Sequence, residues 1–176
     1  MNRQRYKSSL SFRIMSLIHD NQLRRALDDP FQQLRAAGIK KGQNVLEVGC
    51  GPGFFTVPAA ELVGPDGCVF AIDIHPMAIK AVERKLSRTS LNNVKLTLVS
   101  AADTGLSTES IDLAFLFGVA HALPMDKVIP EMHRVLKSGG ILAVETFSNR
   151  AWQKMKSDGF FRFAGKEGRV SKLVKQ

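Results

Sequence analysis

A glycine-rich segment in the first third of the chain has the residue types and spacing best suited to bind a small ligand. Residues 45–53 read VLEVGCGPG, an apolar run followed by glycines at alternate positions. Glycine lets the backbone turn sharply and lets a ligand approach where a Cβ would clash. The pattern therefore predicts a strand, a tight ligand-facing turn and the start of a helix.

A carboxylate follows this turn at a spacing suited to nucleoside binding. Asp73 lies twenty residues beyond Gly53, at the end of the next predicted strand, where it can accept hydrogen bonds from both ribose hydroxyls of an adenosine. The turn reads GxGxG with Glu47 two residues ahead of it, whereas GxGxxG is the pattern that seats a dinucleotide pyrophosphate. A nicotinamide-dependent oxidoreductase is therefore the alternative and not the leading interpretation. We expect the Asp73 carboxylate to face solvent while the site is empty.

The elements that position these residues alternate between strand and helix. Wholly apolar strands separated by helices indicate a parallel sheet covered on both faces. The C-terminal residues predict a short helix and then two strands that form a hairpin. We predict strands at 44–48, 69–72, 94–99, 112–117, 141–146, 160–164 and 169–174, and helices at 10–37 (divided near Pro30), 54–62, 76–88, 127–136 and 151–157. The predicted fold is α/β and Rossmann-like, with a mostly parallel seven-stranded sheet and a C-terminal antiparallel hairpin.

Four motifs in this order resemble the class I S-adenosylmethionine-dependent methyltransferases. They are VLEVGCGPG at 45–53, AIDIHPMA at 71–78, TGLSTESIDLAF at 104–115 and HRVLKSGGILAVE at 133–145. The small ubiquinone- and menaquinone-biosynthesis-like methyltransferases share the RVLK-x-GG signature. The resemblance implies the class I methyltransferase fold, S-adenosylmethionine as cofactor with S-adenosylhomocysteine as product, and methyl transfer as the reaction.

The same resemblance implies which residues hold the cofactor. Glu47 and the 49–53 turn would face the methionine part and the ribose, Asp73 would hold the ribose hydroxyls, and Ile74 would pack on the adenine. Where the family often has Asp and a small residue after the third strand, this chain has SAAD at 100–103. The adenine edge would then meet the backbone of Ala101 and Ala102, with Asp103 as the alternative, and the methionine end would meet the backbone of Phe117 and Gly118. The implied cofactor-binding set is Glu47, Gly49, Cys50, Gly51, Gly53, Asp73, Ile74, Ala101, Ala102, Asp103, Phe117 and Gly118.

Catalysis of methyl transfer needs few dedicated side chains. The reaction is an in-line displacement on an activated carbon, so holding the two reactants in line in a dry pocket supplies much of the acceleration. A base is needed only where the acceptor starts protonated. The resemblance implies an acceptor above the ends of the fourth and fifth strands. His121 is the acid/base candidate there, with a packed or capping histidine as the alternative, and Glu145 is an acceptor contact or a structural residue.

The residues after the fourth strand disfavour several acceptor classes. Residues 117–120 read FGVA and not the Asn/Asp-Pro-Pro-aromatic box of amino-group methylators. A Pro-Cys pair for cytosine C5 is missing, and Gly118 stands where a magnesium-dependent catechol-type enzyme has Asp. We predict no metal site, because the sequence has no clustered His or Cys. A small-molecule acceptor is therefore favoured.

Length and charge bound the remaining hypotheses. The 176 residues suit one globular domain, with 1–37 as an N-terminal helical segment (lid or flank) and 38–176 as the methyltransferase domain. The net charge of +9 divides into +5 for 1–40, −2 for 41–149 and +6 for 150–176. Basic ends suit RNA, an anionic membrane surface or an anionic substrate, and simple solubility is the alternative. A non-catalytic cofactor-binding or RNA-interacting module also stays open, as does the oligomeric state.

The N-terminal segment and the cysteines bear on location. Residues 6–18 are amphipathic and basic, which suits a lid over the acceptor pocket, a membrane-surface helix or a helix that completes the core. No apolar run reaches the roughly 18–20 residues of a membrane span, and no secretory signal is evident. We predict Cys50 and Cys68 at opposite ends of the sheet and both reduced, which suits a cytoplasmic protein.

Overall fold

The computed structural model describes residues 28–145 and 159–176. Their helices and strands, numbered along this part of the chain, alternate as the sequence predicts. They are α1 (Pro30–Ala37), β1 (Asn44–Val48), α2 (Thr56–Val63), β2 (Cys68–Asp73), α3 (Pro76–Leu86), β3 (Val94–Leu98), β4 (Ile111–Phe117), a 3-10 turn (Ala120–Ala122), α4 (Met125–Val135), β5 (Leu136–Glu145), β6 (Phe161–Glu167) and β7 (Val170–Lys175). Predicted elements at 10–27 and 151–157 lie outside the described residues.

One seven-stranded sheet organises the described residues, in the order β3-β2-β1-β4-β5-β7-β6. The strands β1 to β5 run parallel to their neighbours. β7 runs antiparallel to both β5 and β6, as the predicted hairpin requires. The carboxyl ends of the five parallel strands therefore meet at one edge of the sheet, where ligands bind in open α/β sheets. The predicted seven-stranded fold is confirmed.

Alternating side chains of the strands build a core on each face of the sheet. On β4, Leu113 and Phe115 pack in the cluster shared with α1, α2 and α3. The intervening Ala114 and Leu116 pack in the cluster shared with α4. Because both faces are covered, the central strands are apolar along most of their length, which is the pattern that predicts the sheet.

Local signals at the ends of α1 act as the sequence predicts. Asp29 caps the helix by accepting a 2.9 Å hydrogen bond from the Phe31 N–H. Pro30 occupies the first helical position, where no N–H partner is needed. Gly38 ends the helix with φ of +97°, a left-handed conformation that suits glycine.

Several predicted boundaries are wrong, among them the end of α3 at Leu86 and the end of β6 at Glu167. Three of the differences have clear reasons that depend on context. β5 begins at Leu136 and not at 141, because Leu136 pairs with Ile111 before the register shifts. α4 begins at Met125, two residues before the predicted start, and includes Pro130. α2 begins at Thr56, because the preceding residues 51–55 form the turn.

The cysteines lie at opposite edges of the sheet, as the sequence analysis predicts. Cys50 follows the carboxyl end of β1 and Cys68 opens β2, which runs parallel to it, so the two thiols lie at opposite edges and both are free. Within 28–145 and 159–176, no helix has the length and apolar character needed to cross a bilayer.

Candidate functional site

The turn between β1 and α2 is held in place by the neighbouring strand. The N–H groups of Gly49 and Cys50 donate to the Ile72 carbonyl at 2.8 and 3.0 Å, and the Gly53 N–H donates to the Cys50 carbonyl at 2.9 Å. Gly49, Gly51 and Gly53 have φ of +74°, +51° and +80°, which other residues adopt only with strain. The glycines at alternate positions therefore allow the backbone of this turn to adopt its positive φ angles.

Close approach adds a second requirement at Gly49. A Cβ there would lie 2.8 Å from Cγ2 of Val119, in the segment that follows β4. At Gly51 a Cβ would meet only the Gly49 carbonyl oxygen, at 4.0 Å. Gly49 thus brings the β1 turn against the end of β4, whereas the space beside Gly51 is open.

The Asp73 carboxylate ties the turn to the next helix. Its Oδ2 accepts a 2.9 Å hydrogen bond from the Gly51 N–H, and its Oδ1 accepts a 2.8 Å bond from the His75 N–H. Asp73 is only half-buried. Donors from the turn and from the start of α3 therefore reach both oxygens of a carboxylate that is still partly open to solvent, as expected for the empty site. Each oxygen keeps lone-pair capacity for a further donor.

Glu47 is a buried carboxyl group beneath the turn. Its exposed fraction is 2%, and its Oε2 has no hydrogen-bond partner among the described residues. Burial raises the pKa of Glu47 to about 8; the nearby Asp73 acts in the same direction, and the Thr56 hydroxyl and the Lys85 ammonium oppose it. An orphaned buried carboxyl oxygen is costly unless a partner satisfies it.

Lys85 is a site neighbour that the sequence analysis missed. Its ammonium group donates a 3.1 Å hydrogen bond to the Gly53 carbonyl, from one helix across to the turn. Lys85 lies 32 residues from Gly53. A lysine on an amphipathic helix has no local sequence signal that distinguishes it from an ordinary surface lysine.

The residues predicted to meet the adenine lie on two adjacent segments. Ile74 follows β2 with 49% of its surface exposed. After β3, a tight turn at 100–103 is closed by hydrogen bonds from the Asp103 N–H to the Ser100 carbonyl (3.1 Å) and from the Ala102 N–H to the Ser100 hydroxyl (3.2 Å). Ala101 is buried, Ala102 is half-buried and Asp103 is exposed. A ligand at this turn would therefore meet its backbone and the Asp103 side chain more readily than the side chain of Ala101.

The end of β4 presents backbone to the same edge. Phe117 is 7% exposed, and its ring packs 5.0 Å from the Phe115 ring and 5.2 Å from the Phe55 ring. Gly118 is exposed and has φ of +66°, and a Cβ added at this position would have no atom within 4 Å. The side chain of Phe117 therefore belongs to the core, and only the backbone of 117–118 borders the edge.

The two acid/base candidates differ in environment. His121 is exposed in the 3-10 turn Ala120–Ala122, so it precedes α4 and does not start it. Glu145 ends β5 with 7% of its surface exposed. Arg169 lies 3.7 Å from the Glu145 carboxylate and 3.2 Å from that of Asp28. Glu145 therefore has a structural ion-pair partner, whereas the imidazole of His121 is open to solvent.

The fold thus brings the predicted site together from four strand ends. The turn 49–53 and Asp73 are joined by hydrogen bonds, the 100–103 turn follows the neighbouring β3, and Gly118 follows β4 on the other side of β1. No group of three or more His, Cys, Asp or Glu able to hold a metal occurs in the part of the chain that the structure describes.

A methyltransferase domain family model matches residues 39–168, most of the chain. The chain therefore belongs to this family, whose fold and motifs here are those of the class I S-adenosylmethionine-dependent methyltransferases. The predicted family and fold are confirmed, and the family match and the similar solved structures support S-adenosylmethionine as the predicted cofactor.

Relatives and solved structures support the same assignment. The chain is 36% identical over 109 residues to a demethylmenaquinone methyltransferase of Geobacillus stearothermophilus, covering 61% of this chain and 47% of that protein. It thus spans about half the length of the curated relatives it matches. A crystal structure of an S-adenosylmethionine-dependent methyltransferase from Aquifex aeolicus superposes with a TM-score of 0.80 at 23% identity, covering 96% of this chain and 98% of that one. The [4+2]-cyclase SpnF superposes with a TM-score of 0.67 at 18% identity, covering 77% and 57%. The fold alone therefore does not decide the reaction.

Proposed function

We propose that the chain transfers a methyl group from S-adenosylmethionine to a small aromatic acceptor of the quinone type. The observation that carries the proposal is the turn 49–53 hydrogen-bonded to Asp73 at the carboxyl edge, in a chain of the methyltransferase domain family. The acceptor class draws on the demethylmenaquinone methyltransferase relatives.

The residues present fit the cofactor on two observations. The orphaned Oε2 of Glu47 lies beneath the turn and lacks a donor partner, and the space beside Gly51 is open where a Cβ would project. When bound, S-adenosylmethionine supplies a methyl group activated by its sulfonium. A cationic, amino-bearing methionine part suits a buried carboxyl group that lacks a partner.

Each proposed contact follows from where the side chain or backbone lies. The two Asp73 oxygens would add ribose hydroxyls to the backbone donors they already hold. The exposed apolar surface of Ile74 would cover one adenine face. The backbone of Ala101, Ala102 and Asp103 would meet the adenine edge. Exposed Gly118 would leave room for the methyl group next to the acceptor.

The acceptor would meet the methyl group above β4 and β5. Transfer of the methyl group to a ring carbon of the acceptor would leave S-adenosylhomocysteine, and that carbon would have to lose its proton to a base. We assign the proton-accepting role to His121, because its imidazole is exposed just after β4 and histidine is the side chain that most often acts as a general base. Glu145, which already contacts Arg169, would have a supporting role.

Two measurements test this proposal. Calorimetry should show S-adenosylhomocysteine binding and no NAD binding, and heat-induced unfolding should shift upward with S-adenosylhomocysteine alone. Transfer of labelled methyl from S-adenosylmethionine to a short-chain demethylmenaquinol should yield a ring-methylated product. The already methylated menaquinol, which lacks the free ring carbon, is the matched control.

The outcomes separate the two parts of the proposal. NAD binding without S-adenosylhomocysteine binding would refute the methyltransferase function. S-adenosylhomocysteine binding with no label in the demethylmenaquinol would refute the quinone-type acceptor alone.

A further inference from the structure

A charged cluster on α4 holds the segment that follows the 100–103 turn. Glu131 is 8% exposed. Its Oε1 accepts hydrogen bonds from the Thr104 N–H at 2.8 Å and from the Thr104 hydroxyl at 2.6 Å. The same carboxylate accepts two 2.8 Å bonds from the Arg134 guanidinium. Glu131 therefore joins the helix to the backbone immediately after the turn.

Arg134 extends this connection along the same segment. Its Nη2 donates to the Leu106 carbonyl at 2.8 Å, and its Nη1 donates to the Thr108 hydroxyl at 3.2 Å. Burial alone would raise the pKa of Glu131, but the hydrogen bonds from Arg134 and Thr104 outweigh it and lower the pKa to about 2. The Glu131–Arg134 pair is therefore charged throughout the physiological range, and bidentate pairs of this kind have a well-defined geometry.

The other end of the 100–103 turn is also fixed. The Val99 N–H donates a 3.0 Å hydrogen bond to the Asp73 carbonyl. The turn therefore spans two anchors, the Asp73 backbone on one side and Thr104 on the other. Glu131 lies 27 residues from Thr104 in sequence, on α4. It reaches the edge of the site through Thr104.

We propose that Glu131 and Arg134 are positioning residues that hold the 100–103 turn, through Thr104, so that its backbone distinguishes adenine from other purines. The inference rests on the proposed function, in which this turn meets the adenine edge. Hydrogen-bond strength falls steeply with misalignment, and recognition sites need placement within about 0.5 Å. Adenine presents an amino donor beside a ring-nitrogen acceptor, whereas hypoxanthine presents a carbonyl beside a ring N–H. A well-placed backbone edge therefore accepts one base and rejects the other.

The test compares two ligands in matched variants. Calorimetry gives the dissociation constants of S-adenosylhomocysteine and S-inosylhomocysteine for the wild type, Glu131→Gln and Thr104→Val. Glu131→Gln keeps the side-chain shape and removes the charge. Thr104→Val removes the hydroxyl, which donates to Glu131 and accepts from the Leu106 N–H, and leaves the Thr104 N–H bond to Glu131 in place. The control is Asp112→Asn, at the opposite edge of the sheet, where the carboxylate accepts bonds from the Asn44 N–H (2.7 Å) and the Lys137 ammonium (2.6 Å).

We expect the wild type to prefer S-adenosylhomocysteine by at least about tenfold, and both test variants to lose about tenfold in that affinity. The affinity of both variants for S-inosylhomocysteine should change little, so the variants should lose most of the preference for S-adenosylhomocysteine over S-inosylhomocysteine. Asp112→Asn should lower the melting temperature and leave the preference intact.

Two outcomes would overturn the inference. If the test variants melt at lower temperature but keep the wild-type ratio of the two dissociation constants, the cluster serves folding alone. If the wild type prefers S-adenosylhomocysteine and a folded Thr104→Val protein does too, Thr104 does not transmit the effect. A wild type that binds neither ligand would instead refute the proposed function, and the inference with it.

Discussion

At the scale of single residues, Asp73 serves the empty protein as well as the proposed ligand. Its two oxygens accept N–H groups from Gly51 and His75, on either side of the strand end. Removing the whole side chain would therefore disturb the turn and weaken ligand binding together. An amide in its place keeps one acceptor oxygen and changes the shape little.

We expect Asp73→Asn to weaken S-adenosylhomocysteine binding by about 1.5–3 kcal/mol, the usual size for hydrogen bonds to a charged group. Folding should be retained, and titration calorimetry alongside thermal melting checks both. Asp66→Asn, an exposed carboxylate in the turn after α2, is the control. Unchanged affinity in Asp73→Asn would show that the ribose is held elsewhere.

Glu47 gives a pH dependence whose sign follows from its burial. Its pKa is about 8 in the folded protein, against 4.5 for an ordinary glutamate. Between these values the unfolded chain ionises while the folded protein keeps its proton, so the group costs stability as pH rises from about 4.5 to about 8.

Glu47→Gln should therefore be more stable than the wild type by an amount that grows with pH, up to a few kcal/mol near pH 8. Denaturant unfolding at pH 5, 6.5 and 8 measures this. Glu61→Gln on α2, where the carboxylate is exposed, should show no such trend. A difference independent of pH would mean that Glu47 is ionised in the fold.

At the scale of elements, the turn after β1 combines backbone strain with open space. Gly51 and Gly64 both have positive φ, +51° and +67°. A Cβ added at either position would have no atom closer than 4.0 Å. Gly64 ends α2 at the opposite edge of the sheet from the proposed site. The pair therefore separates the cost of a strained backbone from the loss of ligand space.

Gly51→Ala and Gly64→Ala should each lower the free energy of unfolding by about 1–3 kcal/mol, because each residue has a positive φ that alanine adopts only with strain. Only Gly51→Ala should also weaken S-adenosylhomocysteine binding, by tenfold or more, because its methyl group enters the open space beside the turn. Chemical denaturation and calorimetry measure the two effects. Equal affinity in both variants would place the ligand away from Gly51.

Local patterns predict the elements that local chemistry determines. β1 has its predicted bounds because its apolar residues, Val45, Leu46 and Val48, lead directly into a glycine turn. The ends of α1 are predictable because Asp29, Pro30 and Gly38 act within one turn of the helix. The start of β5 is not, because it depends on pairing with Ile111, 25 residues away along the chain.

The candidate site follows the same division. Its strand ends and glycines are predictable, because each is marked within a few residues of sequence. The contacts from Lys85 to Gly53 and from Glu131 to Thr104 are not, because each joins residues about 30 positions apart. Such helix residues reach the site only when the helix packs against the sheet. The spacing of residues in one sequence does not indicate these tertiary contacts.

At the scale of the whole molecule, three hypotheses for the basic N-terminal segment predict different results when the segment is deleted. Residues 1–18 lie outside the described residues and outside every cofactor motif. The first described residue, Asp28, pairs with Arg169 at the carboxyl edge. The chain therefore enters the described fold beside the strand ends above which the acceptor is proposed to bind.

Deleting residues 1–18 should lower methyl transfer, and we favour the lid or core hypothesis over the membrane anchor. A lid predicts retained folding and S-adenosylhomocysteine binding with reduced turnover, whereas a core helix predicts unfolding or aggregation. An anchor predicts intact turnover with loss of salt-sensitive binding to anionic vesicles. Melting, calorimetry and vesicle sedimentation distinguish them. A stable truncation with full activity and unchanged vesicle binding would contradict all three.

The strand order has a consequence for how such a protein can change over evolution. β1 and β4 are neighbours, so the sheet divides between one half, β3-β2-β1, that carries most of the proposed cofactor contacts, and another, β4-β5-β7-β6, that borders the proposed acceptor. Substitutions in the second half can alter which molecule is methylated without touching the turn 49–53 or Asp73. Selection can therefore vary the acceptor while the half of the sheet with the proposed cofactor contacts stays constant. A sheet with this strand order can accommodate new acceptors with little effect on cofactor binding.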